Sequence, residues 1–157
     1  MNILIQGVLL GVLATIGTDI WALIVKHVFR LPTGHWNLVG RWFGHMPRGV
    51  FSHDSIAESP AIRHETAIGW GAHYLVGIVY GLTYLAIVRI ALSATPTLAS
   101  ALFFGMVTLV APWLVMQPAM GIGAFASKTP NPPLTRMVNL SMHLAFGASL
   151  YAGWLVI

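Results

Sequence analysis

Four long apolar stretches restrict the fold of this chain more than any other feature. They cover about residues 3–25, 67–88, 97–120 and 137–157. Each can cross the ~30 Å hydrocarbon core of a bilayer as a helix, which takes roughly 20 residues. Only 8% of the 157 residues are charged, against about 25% in a soluble domain. We therefore predict an all-α integral membrane protein, a single domain over 1–157 built as an up-down bundle of four transmembrane helices.

The basic residues predict the orientation of this bundle. With four crossings, the connections 26–66 and 121–136 lie on one side of the membrane. They carry Lys26, Arg30, Arg41, Arg48, Arg63, Lys128 and Arg136, and the other side carries Arg89. Because cytoplasmic loops are rich in Lys and Arg, we expect both connections in the cytoplasm and both termini on the non-cytoplasmic side. The net charge of +4 is explained by this topology and does not indicate nucleic-acid binding.

The first connection is predicted to contain an interfacial helix. Trp36, Val39, Phe43 and Met46 recur at helical spacing on one face. Because Trp is favoured at the headgroup level, this face suits a helix that lies on the cytoplasmic leaflet. The alternative is an irregular loop packed over the bundle.

Three ionisable side chains lie inside the apolar stretches: Asp19, His73 and His143. Each is roughly seven residues, about 10 Å, from the basic end of its helix. Such a group is costly in hydrocarbon unless it faces a partner, a cavity or an ion. Each also belongs to a stripe of small and polar residues spaced four apart, which predicts one layer inside the bundle. The stripes are Gly7-Gly11-Thr15-Asp19, Gly69-His73-Gly77-Gly81 and Asn139-His143-Gly147-Tyr151. The alternative is that they are packing seams alone.

Helix 3 is expected to be kinked at Pro112, which lacks a backbone donor and frees the carbonyl of Thr108. Gln117, near the basic end of the same helix, is expected in the polar layer.

Several kinds of chemistry fit the layer. Asp19, His73 and His143 are a plausible ligand set for a transition metal. His73 and His143 are alternatively axial ligands of a haem in a redox protein. A carboxylate with imidazoles also suits a proton, ion or small-ligand site. A second polar group, at the predicted cytoplasmic mouth, comprises His45, Arg48, His53, His64 and Glu65.

Other functions remain open beside a binding or conducting role. A non-catalytic accessory subunit would use the glycine-rich faces to dock a membrane-complex partner or a second copy of the chain. Nucleotide-binding glycine loops, nucleophile elbows and paired catalytic carboxylates do not occur in the sequence, so nothing specific indicates an enzyme.

Three segments resemble a known family. They are Gly40-Arg41-Trp42-Phe43-Gly44-His45-Met46-Pro47-Arg48-Gly49, Met116-Gln117-Pro118-Ala119-Met120-Gly121 and Ser127-Lys128-Thr129-Pro130-Asn131-Pro132. They are similar to the bacterial membrane family catalogued as domain of unknown function 2938, together with Asp19-Ile20-Trp21-Ala22 and Ala72-His73-Tyr74. The resemblance implies a small multi-pass protein of the bacterial inner membrane. It implies no activity, cofactor or catalytic residue.

Overall fold

The computed structural model describes residues 2–157, and the regular structure of this part of the chain is helical, without strands. The α-helices are α1 (Ile3–His27), α2 (Trp36–His45), α3 (Glu65–Leu85), α4 (Leu98–Val107), the single turn α5 (Gln117–Ala119) and α6 (Pro132–Val156). Short 3₁₀ turns cover Met46–Arg48 and Ala124–Ala126, and π-helical turns cover Ala86–Ala91 and Ala111–Met116. The all-helical expectation is confirmed.

Within the described residues, three segments are long and apolar enough to cross a membrane. They are Ile3–His27, Glu65–Ala91 and Leu98–Ala119, which correspond to the first three predicted spans. Helix α6 is 25 residues long, as is α1. It carries Asn139, Ser141 and His143, and it is not one of the three membrane-capable segments. The fold is thus that of a membrane protein by length and composition, with the fourth crossing left as a prediction.

Helix α6 begins at Pro132, earlier than the sequence pattern suggested. The stretch 121–136 is rich in Gly, Pro and Asn and was expected to be a connection throughout. Proline is tolerated in the first turn of a helix, because the N–H that it lacks would have no partner there. The Asn131 side chain accepts a hydrogen bond from the Leu134 amide at 3.2 Å and caps this turn.

The predicted disturbance at Pro112 takes the form of a π-helical turn. Helix α4 ends at Val107, and the turn Ala111–Met116 follows. The Gln117 amide donates to the carbonyl of Pro112, five residues earlier. Such turns are rare and occur often at functional sites.

The described chain divides into two compact units. The first comprises residues 2–32, Tyr74–Leu109 and Asn139–Ile157, and its core contains Leu10, Ala14, Tyr84, Leu85, Val88, Ala101, Phe146 and Leu150. The second comprises Thr33–His73 and Val110–Val138, and its core contains Val39, Trp42, Ile56 and Met120.

Glycines bring the helices of the first unit into backbone contact. A Cβ atom on Gly11 would lie 2.5 Å from the carbonyl oxygen of Gly77, and one on Gly81 would lie 2.5 Å from the amide nitrogen of Gly11. Gly147 of α6 stands in the same relation to Ala101 of α4, at 2.5 Å from its oxygen. The stripe glycines are therefore contacts between helices of this chain. An accessory-subunit role stays a prediction, and it would need a different docking surface.

In the second unit, α2 packs antiparallel against the start of α3. A Cβ atom on Gly40 would overlap the backbone of Glu65, and one on Gly69 would overlap the carbonyl of Trp36. The first connection thus contains a helix, as predicted. The face of Trp36, Val39, Phe43 and Met46 packs into the second core, so protein covers much of the surface that was expected to meet lipid. Its location at the membrane interface stays a prediction.

Candidate functional site

Asp19 lies on α1 and is paired with Tyr74 of α3 within the first unit. The Tyr74 hydroxyl donates to Asp19 Oδ2 at 2.9 Å. One turn earlier on α1, Thr15 is 1% exposed and its hydroxyl donates to the carbonyl of Gly11 at 2.7 Å. The contact between Gly11 and Gly77 holds the two helices close enough for the phenol to reach the carboxyl group. Tyr74 was not predicted as a site residue.

His143 lies on α6 and is paired with Thr108, also within the first unit. The His143 Nδ1 and Thr108 Oγ1 atoms are 2.7 Å apart, and the same hydroxyl donates to the carbonyl of Gly105 at 2.6 Å. A hydroxyl has one proton to donate, so His143 Nδ1–H must be the donor to Thr108. The neutral imidazole then keeps its Nε2 atom as an acceptor. Thr108, the residue one turn before Pro112, thus fixes the tautomer of His143.

His73 belongs to the second unit, where it contacts two tryptophans. Its ring centroid is 4.0 Å from that of Trp36 on α2 and 5.7 Å from that of Trp70 on α3. The Trp36 ring is tilted by 31° to the imidazole, which is close to an offset stack. Helix α2 therefore covers His73, a contact that the sequence pattern did not indicate.

The predicted layer is divided between the two units. Asp19 and His143 are in the first and His73 is in the second, and they are engaged by Tyr74, Thr108 and Trp36 respectively. Over residues 2–157, no three His, Asp or Glu side chains are arranged to hold a metal ion, so the metal hypothesis gains no support. The single layer and the haem hypothesis stay predictions. Gln117 is 5% exposed and lies in the second unit.

Glu65, predicted at the cytoplasmic mouth, is engaged in an ion pair with Arg41. Arg41 Nε and Nη2 donate to the two carboxylate oxygens at 2.9 and 3.0 Å. Its Nη1 donates to the carbonyls of Ile56, Ala57 and Ser59 at 3.2, 3.1 and 2.9 Å. The hydrogen bond to Glu65 raises the pKa of Arg41. The sequence patterns gave Arg41 no role beyond topology and a family-like motif, although its position between Val39 and Trp42 places it among buried residues.

His45 and His53, both predicted at the cytoplasmic mouth, are in contact in the second unit. His45 Nδ1 and His53 Nε2 are 2.8 Å apart, and His45 is only 7% exposed. The His53 amide donates to the carbonyl of Ala119 at 2.8 Å, which anchors this loop. The His53 Nδ1 atom is buried and has no hydrogen-bond partner among the described residues. The other two predicted mouth residues, Arg48 and His64, are exposed.

These features define a class: an all-helical protein with three helices able to cross a membrane and hydrogen-bonded polar groups on them. The profile of the family described as "Protein of unknown function (DUF2938)" matches residues 8–157, and the chain belongs to this family. The resemblance of the three sequence motifs to that family is thereby confirmed. The comparisons with curated proteins and with solved structures found no match.

Proposed function

We propose that this chain is a four-span protein of the bacterial inner membrane, with both basic connections in the cytoplasm. Support for the fourth span comes from α6, which contacts α4 through Gly147 and Ala101. Helix α4 belongs to a segment that can cross the membrane by itself. Because α6 is as long as α1 and packs on α4 in this way, we take it to be a fourth crossing of the membrane.

Its proposed role is to bind and pass protons through the polar residues of the spanning helices. The observation that carries this proposal is the bond from the Tyr74 hydroxyl to Asp19 Oδ2, at 2.9 Å, between two segments that can cross a membrane. Placing an Asp side chain within a membrane span costs free energy, and such residues commonly mark proton or ion paths. The Tyr74 phenol holds the Asp19 side chain in place by this hydrogen bond, and the carboxyl group is the proposed proton carrier.

His143 supplies a second proton-exchanging group in the same unit. Its Nδ1–H is held by Thr108, so the Nε2 atom is the position proposed to accept and release a proton. His73 lies in the second unit, so the path proposed within the first unit does not include it. Trp36 and Trp70 pack against its ring and would keep it oriented.

The test is proton flux into liposomes that contain the purified protein and an encapsulated pH-sensitive dye, driven by a potassium diffusion potential. Asp19→Asn preserves an oxygen that accepts the Tyr74 hydrogen bond, but the amide cannot carry a proton. We expect its flux to fall to the level of protein-free liposomes, with an unchanged unfolding temperature. Tyr74→Phe removes the bond and keeps the carboxyl group, so its flux should persist.

A structural role for the pair predicts the reverse order, with Tyr74→Phe unstable and Asp19→Asn unaffected. Thr18→Val is the matched control, because the Thr18 hydroxyl donates to the carbonyl of Ala14 on its own helix. Wild-type flux equal to that of protein-free liposomes, or equal flux in wild type and Asp19→Asn, contradicts the proposal.

A further inference from the structure

A cavity of about 240 Å³ lies in the second unit, and its lining includes Ile56 and Ala57, whose carbonyls accept from Arg41. Ile56 and Met120, which are 2% and 3% exposed, form its floor, and Leu38 and Ile122 extend the apolar lining. Drug-sized ligands occupy roughly 300–1,000 Å³. This cavity therefore fits a smaller group, of the size of a headgroup with the first carbons of a chain.

Backbone hydrogen bonds hold the segments that line the cavity in place. The Ile56 amide donates to the carbonyl of Met120 at 3.1 Å, and the Lys128 amide donates to that of Ile122 at 2.9 Å. Gly121 has a φ of +82°, and a Cβ atom there would overlap the backbone of Asp54. The two walls are thus joined tightly at a glycine that no other residue could replace without strain.

The lining of the cavity includes one positively charged side chain, that of Lys128. Among the described residues that line it, Lys128 alone is charged, and its side chain is exposed. An apolar floor with an ammonium group at the edge is complementary to an amphiphile that carries an anionic group. Ala57 also lines the cavity and is exposed, so the cavity is open to such a molecule.

The position along the chain places the cavity at the end of a span. Met120 directly follows Ala119, the last residue of the segment Leu98–Ala119 that can cross a membrane. Lipid phosphates lie at that level, where a polar surface begins. We propose that this cavity binds one anionic phospholipid, with its phosphate on Lys128 and the first acyl carbons against Ile56 and Met120. This site is independent of the proposed proton path.

The first test measures lipid binding by native mass spectrometry of the purified protein in mild detergent, with phosphatidylglycerol or phosphatidylcholine added. We expect phosphatidylglycerol to bind more tightly. Lys128→Gln should weaken that binding about fivefold, which corresponds to the ~1 kcal/mol that one lysine contributes near an anionic surface. Lys26→Gln, on α1 outside the cavity, is the matched control and should not change it. Equal effects of the two variants indicate diffuse attraction and overturn the proposal.

The second test blocks the cavity without changing charge. Ala57→Trp should abolish the preferred phosphatidylglycerol binding, whereas Ala61→Trp, at an exposed position that does not line the cavity, should leave it intact. Unchanged binding in Ala57→Trp overturns the proposal. Glycerol phosphate, which lacks acyl chains, should not compete; if it displaces the lipid, the site is one for a free phosphate and the lipid proposal fails.

Discussion

Arg41 and Glu65 form a two-pronged ion pair that ties α2 to the first turn of α3, with N–O distances of 2.9 and 3.0 Å. The third nitrogen of the same guanidinium donates to three carbonyls between Ile56 and Ser59. One side chain thus joins a helix, a loop and the start of a membrane-capable segment. The first connection of this protein is therefore ordered by the Arg41 side chain, which alone makes five hydrogen bonds.

Arg41→Gln should destabilise the protein strongly. The variant leaves the Glu65 carboxylate without its cation and the three carbonyls without their donor, and loss of these bonds in a part-buried site costs about 1–3 kcal/mol. The measurement is unfolding in mild detergent, followed by tryptophan fluorescence. Arg48→Gln is the control, because Arg48 is exposed and should have little effect. Equal stability of the two variants would show that the Arg41–Glu65 pair contributes nothing to the free energy of unfolding.

Gly40→Ala and Gly71→Ala should have opposite effects on stability. A Cβ atom on Gly40 would overlap the backbone of Glu65, so alanine there forces α2 and α3 apart. Gly71 has no heavy atom within 4 Å of the corresponding position, and alanine there should stabilise the helix by up to ~1 kcal/mol. Thermal unfolding of both variants in one detergent checks this, and a stable Gly40→Ala would contradict the close packing.

Thr108→Val should destabilise the contact between α4 and α6. The valine has a similar shape but cannot accept from His143 Nδ1, and a hydrogen bond between membrane helices contributes about 0.6–1.7 kcal/mol. Thr108→Ser keeps the hydroxyl and should unfold like the wild type. Thr83→Val is a second control, because the Thr83 hydroxyl bonds within its own helix at an exposed position. If Thr108→Val and Thr83→Val lose equal stability, the bond to His143 has no energetic role.

The topology can be tested with single cysteines, because the sequence contains none. Ser52→Cys and Ser127→Cys, in the two basic connections, should react with a membrane-impermeant maleimide only after the cells are opened. Ser93→Cys, beside Arg89, should react in intact cells whose outer membrane has been permeabilised. All three serines are exposed. Labelling of Ser93 and Ser127 from the same side would exclude the four-span arrangement.

Part of the candidate site could be predicted from the sequence. Asp19 and His143 were recognised because ionisable residues are unusual within apolar stretches. Their partners were not, since Tyr74 is 55 residues from Asp19 and Thr108 is 35 residues from His143. His45 and His53 were assigned to one region, but their 2.8 Å contact depends on the loop that the Ala119 carbonyl anchors. Periodicity describes one helix at a time, so it predicts which face is polar but not what meets that face.

The sequence by itself determined the helical class, the three membrane-capable segments and the residues that are costly in them. These properties follow from local composition, because length and apolarity decide whether a helix can lie in a bilayer. Only the tertiary structure decided that α2 packs on α3 through Gly40 and Gly69, that Arg41 holds Glu65, and that Trp36 covers His73. Those outcomes depend on how closely two distant backbones can approach. That distance is set by the packing of all the residues between them, so local sequence patterns do not predict it.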